Sequence, residues 1–267
     1  MTDLIKYPKQ TKERNKVFFE KQELINFDGP KWGGWWDTDG SFSNNMNKRK
    51  KPYMNKKAKL ALKDRQPVEL FSKTFETSLV YNEWKTITPE PYRCEYTAQV
   101  YSVVLCAEKA KWFTKNVYPY LLKQEKKDYA VRLLGYRPES KNFSDWTPDE
   151  VTHYLATALE ADGDFLLYLG KRVTSIRARI ASSDVQYLSD IKYLAEKKLG
   201  IIFKIAEGRT YETQKGIKTK YQIYIDGGQK HPTNRGFFQS LLKDGVMTLD
   251  RKKQRVQEFL GQAWGAK

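Results

Sequence analysis

The 267-residue chain contains only two histidines, His153 and His231, and two cysteines, Cys94 and Cys106. So few imidazoles exclude a zinc finger or a His-Asn-His nuclease core. Two scattered thiols exclude a disulfide framework and a CxxC metal site, and predict a reducing compartment with ordinary packing roles for both. No apolar run approaches the ~18–20 residues of a membrane span. The opening MTDLIKYPKQTKERNK carries acids and lacks the apolar region of a signal peptide, so a soluble intracellular protein of open compartment is expected. Neither a G-x-x-x-x-G-K-[ST] loop nor a G-x-G-x-x-G turn is present, which excludes the common nucleotide-phosphate cradles. Acid is also in short supply: 32 Asp+Glu against 48 Lys+Arg leave a net charge of +16. That imbalance fits a partner rich in phosphate, although ribosomal or membrane-surface proteins share it. With 40% hydrophobic and 14% aromatic residues, the chain can still offset its conformational entropy by burial, and a globular protein is expected.

The sequence is written twice. KWGGWWDTDGSF (31–42) aligns with YLATALEADGDF (154–165), pairing Asp37 with Glu160, Asp39 with Asp162, Gly40 with Gly163 and Phe42 with Phe165. The offset is 162 − 39, or 123 residues, about one small domain. KAKLALKD (57–64) lies over RARIASSD (177–184) without a gap, and both alternate with the period of a half-buried strand. One face carries Lys57, Lys59, Ala61 and Lys63, or Arg177, Arg179, Ala181 and Ser183; the other is mostly apolar. Helical patterns follow in PVELFSKTFETSL and VQYLSDIKYLAEKKLGI, then the strand-like YRCEYTAQVYSVVL and KYQIYI, then EKKDYAVRLL against RKKQRVQEFL. Each half reads αββαββαα, an α+β unit with an antiparallel sheet. The predicted organisation is an extension over 1–29, containing a peripheral helix in KERNKVFFEKQELINF, a first domain over 30–134, a linker over 135–146 and a second domain over 147–267. Thr147, Pro148 and Glu150 spell a capping box at the start of that second domain.

Gly40 and Gly163 read as left-handed residues ending two helices, which leaves Asp39 and Asp162 in the last turns. A carboxylate there faces the negative end of the helix dipole and forfeits about 0.3–1 kcal/mol relative to the other end. A divalent cation such as Mg²⁺ would compensate, because it takes one or two carboxylates and completes its octahedron with water and phosphate oxygens. Two such helices side by side would bring two acids together, able to hold metals for phosphodiester cleavage. Gly33, Gly34, Ala156, Thr157 and Ala158 are small enough to let two helix backbones approach.

WGGWWDTDG (32–40) and LATALEADG (155–163) resemble the two signature nonapeptides of the single-chain LAGLIDADG homing endonucleases, and the resemblance extends over about residues 30–260. It implies motif helices packed about a pseudo-twofold axis in a monomer, with Asp39 and Asp162 as catalytic metal ligands assisted by the carbonyls of Thr38 and Ala161. It further implies two or more divalent cations, Mg²⁺ by default, and cleavage of both strands of a long double-stranded DNA target. A basic residue beside each site is also implied; the repeat nominates Lys126 and Lys252, with Lys123 competing in the first half. Trp occupies first-motif positions that are usually aliphatic, and Thr157 stands where the family prefers Gly.

The strand pairs supply the expected DNA grip: Lys48, Arg49, Lys50, Lys51, Lys56, Lys57, Lys59 and Lys63 in the first half, and Lys171, Arg172, Arg177 and Arg179 in the second. Two-stranded ribbons fit the major groove, and two such sheets would make a basic saddle. An intron RNA maturase, or a DNA-binding protein without cleavage on the same scaffold, is the alternative; the host element is left open.

Overall fold

The computed structural model describes residues 27–47, 53–87, 95–169, 174–213, 216–228 and 234–261. The helix expected in the N-terminal extension lies outside these residues, except for Phe27. The first half runs α1 (Gly29–Thr38), β1 (Gly40–Asn47), β2 (Tyr53–Leu62), α2 (Arg65–Thr74), β3 (Leu79–Ile87), β4 (Glu95–Cys106), α3 (Ala107–Val117) and α4 (Gln124–Leu134). The second runs α5 (Pro148–Ala161), β5 (Gly163–Leu169), β6 (Thr174–Ser182), α6 (Val185–Leu199), β7 (Lys204–Thr213), β8 (Gly216–Gly227), α7 (Arg235–Leu241) and α8 (Asp250–Gly261). The expected αββαββαα order is therefore present twice.

Each half folds its strands into one antiparallel sheet, ordered β1-β2-β4-β3 and β5-β6-β8-β7. The repeat read from the sequence is kept in the ladder itself: Gly40 pairs with Leu60 and Gly163 with Ile180, positions that align in the two strand texts. Alternation sets the faces, since successive side chains leave a strand on opposite sides. Ala58, Leu60, Ala178 and Ile180 are fully buried, while Lys59 is exposed.

The compact units cut across the domain boundaries that the sequence suggests. One holds Phe27, 39–116 and 129–137; the other holds 28–38, 117–128 and 138–261. In the first, Phe27 meets Phe75 and Phe113 edge to face, and Phe113 meets Phe71 and Phe75 in the same way. Lys109 is buried there and donates to the carbonyl of Phe75 at 2.8 Å, just past the end of α2; desolvation lowers its pKa to about 8.

In the second unit, α5 starts at the capping box foreseen in the sequence: Thr147 accepts from the Glu150 N–H at 3.2 Å and Glu150 accepts from the Thr147 N–H at 2.8 Å. Helix α6 is bounded equally clearly. Asp184 accepts from the Tyr187 N–H at 3.0 Å, and Gly200, at φ 66°, closes the C-terminus in the left-handed conformation. Helix α1 belongs to this unit and packs against α5. The small residues make that approach possible. A Cβ on Gly34 would fall 2.6 Å from the Tyr154 carbonyl oxygen and 3.2 Å from the Ala158 nitrogen, and one on Gly33 would fall 2.8 Å from the Tyr120 carbonyl oxygen. Thr157 is accommodated because Gly34 lies opposite it, and its hydroxyl donates within its own helix to the carbonyls of His153 and Tyr154. Backbone cannot yield as a flexible side chain can. Gly34→Val is expected to cost about 1–3 kcal/mol or more, read as a lowered thermal midpoint, whereas Gly236→Ala, inside helix α7 and meeting nothing within 4 Å, should leave the midpoint unchanged or slightly raised.

Candidate active site

Asp162 is the residue at which α5 stops. Its N–H donates to the Ala158 carbonyl at 3.2 Å, its backbone stays near the helical region at φ −88°, and Gly163 opens β5 directly after it. The glycine does not take the left-handed form expected from the sequence. Space is the reason for it: a Cβ there would lie 2.7 Å from the carbonyl oxygens of both Leu159 and Arg179. The Asp162 carboxylate is over a third exposed at 37%, and Lys123 places its ammonium 3.9 Å from Oδ2. That ammonium also sits 4.4 Å from the centre of the Tyr187 ring, a cation–π contact that orients the lysine without taking it out of reach of a ligand. Beside the carboxylate runs a groove of about 680 Å³ lined by Asp162, Asp164, Arg179, Glu207, Lys220 and Gln222 among others.

Asp39 holds the corresponding place in the first repeat, an exposed turn residue between α1 and β1. Thr38, whose carbonyl was expected to assist, ends α1 and turns its hydroxyl back on the carbonyls of Gly34 and Trp35, at 3.0 and 2.9 Å. Ala161, its counterpart, is the half-buried last residue of α5.

The other acid of each motif faces inward. Asp37 is fully buried and accepts from the N–H groups of Leu122 (2.6 Å) and Lys123 (3.2 Å) and from the Tyr154 hydroxyl (2.5 Å). Glu160 accepts from the N–H groups of Thr248 and Leu249. These are the two residues before α4 and the two before α8, so each inner acid ties the entry of its half's last helix to a motif helix. The sequence paired Asp37 with Glu160 but gave neither a task.

Solved structures share this architecture. The LAGLIDADG meganuclease I-AabMI bound to uncleaved DNA matches at a TM-score of 0.52 and 12% identity, over 89% of this chain and 90% of that one. The I-SmaMI LAGLIDADG homing endonuclease bound to cleaved DNA matches at 0.51 and 12%, over 88% of each chain. The chain has the LAGLIDADG endonuclease fold. No protein-family model matches the sequence, and no curated protein sequence matches it.

Within this LAGLIDADG fold the two lysines nominated by the repeat differ from Lys123 in setting. Lys252 is buried, and its ammonium donates to the carbonyls of Leu159 (2.8 Å), Glu160 and Gly163 (2.7 Å), the last acceptors of α5 and the first of β5. Its charge is directed at a helix C-terminus, where a cation is favoured, and away from solvent. Lys126 is half-buried on α4. Lys123, which competed with Lys126 in the first half, falls opposite the uncharged Leu249 when the repeats are aligned on Lys126 and Lys252.

The basic strand residues divide in the same way. Lys57 is half-buried and Lys59 and Lys63 are exposed. Arg177 and Arg179 share the outward face of β6, and each is paired with a carboxylate: Arg177 with Asp226, Arg179 with Asp164. Lys48, Arg49, Lys50, Lys51, Lys171 and Arg172 lie outside the described residues, and Lys56 is half-buried on β2.

The inner acids give the fold a pH dependence of definite sign. Desolvation raises the Glu160 carboxyl to about 7, against the N–H groups of Leu249 and Thr248 and the charges of Lys31 and Lys252. It raises Asp37 to about 6, against Tyr154, the Leu122 N–H and Lys123. Between 4.5 and about 7 for Glu160, and between 3.8 and about 6 for Asp37, the native state binds more protons, so these groups reduce stability as pH rises through those windows. Glu160→Gln keeps an oxygen to accept both N–H groups and is neutral throughout. It should melt close to the parent at pH 5 and above it at pH 8, the difference being on the order of 3 kcal/mol; parallel melting curves at both pH values would refute this.

Proposed function

We propose that this protein is a monomeric, divalent-metal-dependent endonuclease that cuts both strands of a long double-stranded DNA target, with Asp39 and Asp162 each serving one strand. The single observation that carries the reading is Asp162: an exposed carboxylate at a helix C-terminus, beside a sheet-lined groove and within 4 Å of an oriented lysine ammonium. The DNA-bound states of I-AabMI and I-SmaMI, proteins of the same fold, support it.

The donor set suits Mg²⁺. Asp162 offers hard oxygen at the negative end of a helix, and among the described residues no three His, Cys, Asp or Glu side chains gather into a closed cage. The remaining positions would be filled by water and phosphate oxygens, the coordination that Mg²⁺ prefers. When bound, such an ion lowers the pKa of water and stabilises the leaving oxygen of a phosphodiester. The chain's own residues do the rest. Asp39 and Asp162 would hold the ions, with the carbonyls of Thr38 and Ala161 nearby in sequence to share them. Lys123 presents positive charge to the phosphate undergoing attack at Asp162. Lys252 fixes the end of α5 through three carbonyls, so that the Asp162 backbone cannot drift, and Lys126 is the basic residue assigned beside Asp39 in the first repeat. Lys57, Lys59, Lys63, Arg177 and Arg179, together with the basic residues outside the described segments, grip the duplex.

The test is a plasmid carrying the uninterrupted form of the gene's own insertion locus, incubated with protein in Mg²⁺ and in EDTA. Linear product in Mg²⁺ alone is expected. An intact plasmid in both, with faster splicing of a host intron transcript, would replace this reading by the maturase one.

A further inference from the structure

The two sheets present the same positions with different chemistry. On β2, Lys59 lies across from Ser41 and Val104, and Lys57 across from Ser43 and Cys106. On β6, the aligned Arg179 lies across from Asp164, and Arg177 across from Asp226. Both lysines have thus become arginines, and each arginine has gained a carboxylate directly across the ladder.

The pairing geometry is the same twice. Arg179 donates Nε to Asp164 Oδ1 at 2.7 Å and Nη2 to Oδ2 at 2.6 Å. Arg177 donates Nε to Asp226 Oδ1 at 2.6 Å and Nη2 to Oδ2 at 3.3 Å, and its guanidinium sits 4.4 Å from the centre of the Tyr224 ring. In each case the carboxylate takes the inner edge of the guanidinium, leaving the end edge, with Nη1 and the outer hydrogen of Nη2, pointing away from it. That edge carries two parallel donors, the spacing that matches O6 and N7 of guanine. Both arginines are about two-fifths exposed on the sheet's outward face, and Arg179 lines the groove that begins at Asp162.

A pair of this kind is poorly suited to gripping phosphate. Neutralised arginine contributes little to the salt-dependent attraction that dominates non-specific binding, whereas a fixed fork loses little rotamer freedom on meeting a base edge. Lysine differs: its ammonium can reach a guanine edge, but it is a mobile point charge on a flexible stem, with no fixed fork to hold it there. We infer that Arg177 and Arg179, held by Asp226 and Asp164, are the guanine-reading residues of the second half, and that the first half, with Lys57 and Lys59 at the same positions, grips its DNA with less base discrimination. The inference rests on the endonuclease reading for its DNA ligand, but concerns binding and needs no cleavage.

Randomised duplex DNA is bound with Ca²⁺ in place of Mg²⁺, and the bound fraction is sequenced for the parent, Asp164→Asn, Asp226→Asn, Arg179→Lys and Lys59→Ala. The parent should fix guanine at two positions confined to one half of its site. Asp164→Asn should relax one of these and Asp226→Asn the other, about 10-fold each, with non-specific affinity unchanged or raised because a negative charge is gone. Arg179→Lys, which keeps charge but loses the fork, should relax the same position as Asp164→Asn and so covers the case in which the Asn variant folds poorly. Lys59→Ala should weaken binding evenly across sequences. Unchanged guanine preference in both Asn variants, or guanine fixed equally in both halves, would overturn the inference while leaving the endonuclease reading intact; a parent that selects no duplex at all would overturn that reading, and this one with it.

Discussion

Asp39→Asn and Asp162→Asn are each expected to abolish double-strand cleavage while leaving DNA affinity within a few-fold of the parent. Asparagine preserves the shape at the end of the motif helix but removes the charge that would hold a cation. Metal stabilisation of the attacked and leaving oxygens is worth several kcal/mol, and at 1.36 kcal/mol per tenfold this corresponds to about 10³-fold in rate or more. The measurement is linear product from a supercoiled target over time, beside a mobility-shift titration of the same preparations. Because each acid is assigned to one strand, nicked circles should persist in both variants. Normal linearisation by either would remove that acid from the site.

The second large effect separates Lys123 from Lys252, both of which the sequence nominated as basic residues beside a site. Lys123→Ala is expected to slow cutting by about 10²-fold, in the range seen when one charge-stabilising donor is removed, with the melting temperature unchanged. Lys252→Ala should do the reverse at first order. It strips three carbonyls of a buried cation and is expected to cost about 3–5 kcal/mol, or roughly 10 °C at about 2–4 °C per kcal/mol. Cutting by Lys252→Ala at temperatures well below its melt should be affected far less than cutting by Lys123→Ala. If Lys252→Ala retained its melting temperature and lost activity, the roles proposed for the pair would have to be exchanged.

Much of the architecture was legible in the chain because the repeat is local and periodic. Alternation in KAKLALKD and RARIASSD placed β2 and β6 and their buried faces, and the Thr147 capping box marked the start of α5. Strands β3 (LVYNEWKTI) and β7 carry no clean alternation, and only the αββαββαα scheme implied them. The close approach of α1 to α5 was signalled by small residues such as Gly33 and Gly34, but that α1 would belong with the unit formed mainly by the second half was not, since it depends on what those glycines touch. At the site, the outer acids stood out because a carboxylate at a helix C-terminus is electrostatically misplaced. The inner acids did not, because Asp37 and Glu160 answer N–H groups some 85 to 90 positions away. Lys123 was undervalued for a different reason. Alignment of the repeats rewards symmetry, and this lysine is informative where the symmetry fails, opposite Leu249. The left-handed glycines expected at 40 and 163 illustrate a similar limit: a glycine after a helix signals either a special backbone angle or a close approach, and for Gly163 it is the second.

The Gly34 seam has a bearing on how such a protein could be divided. Since α1 is packed into the body that the later part of the chain supplies, a fragment beginning at the linker would leave Thr157 and Ala158 facing water where a helix backbone should lie. Grafting one half onto a foreign partner would therefore require residues 28–38 to travel with the C-terminal piece, or a donor helix with glycine at the matching position. The practical unit of exchange in this protein is set by a contact between two helices, and the midpoint of its sequence is the wrong place to cut.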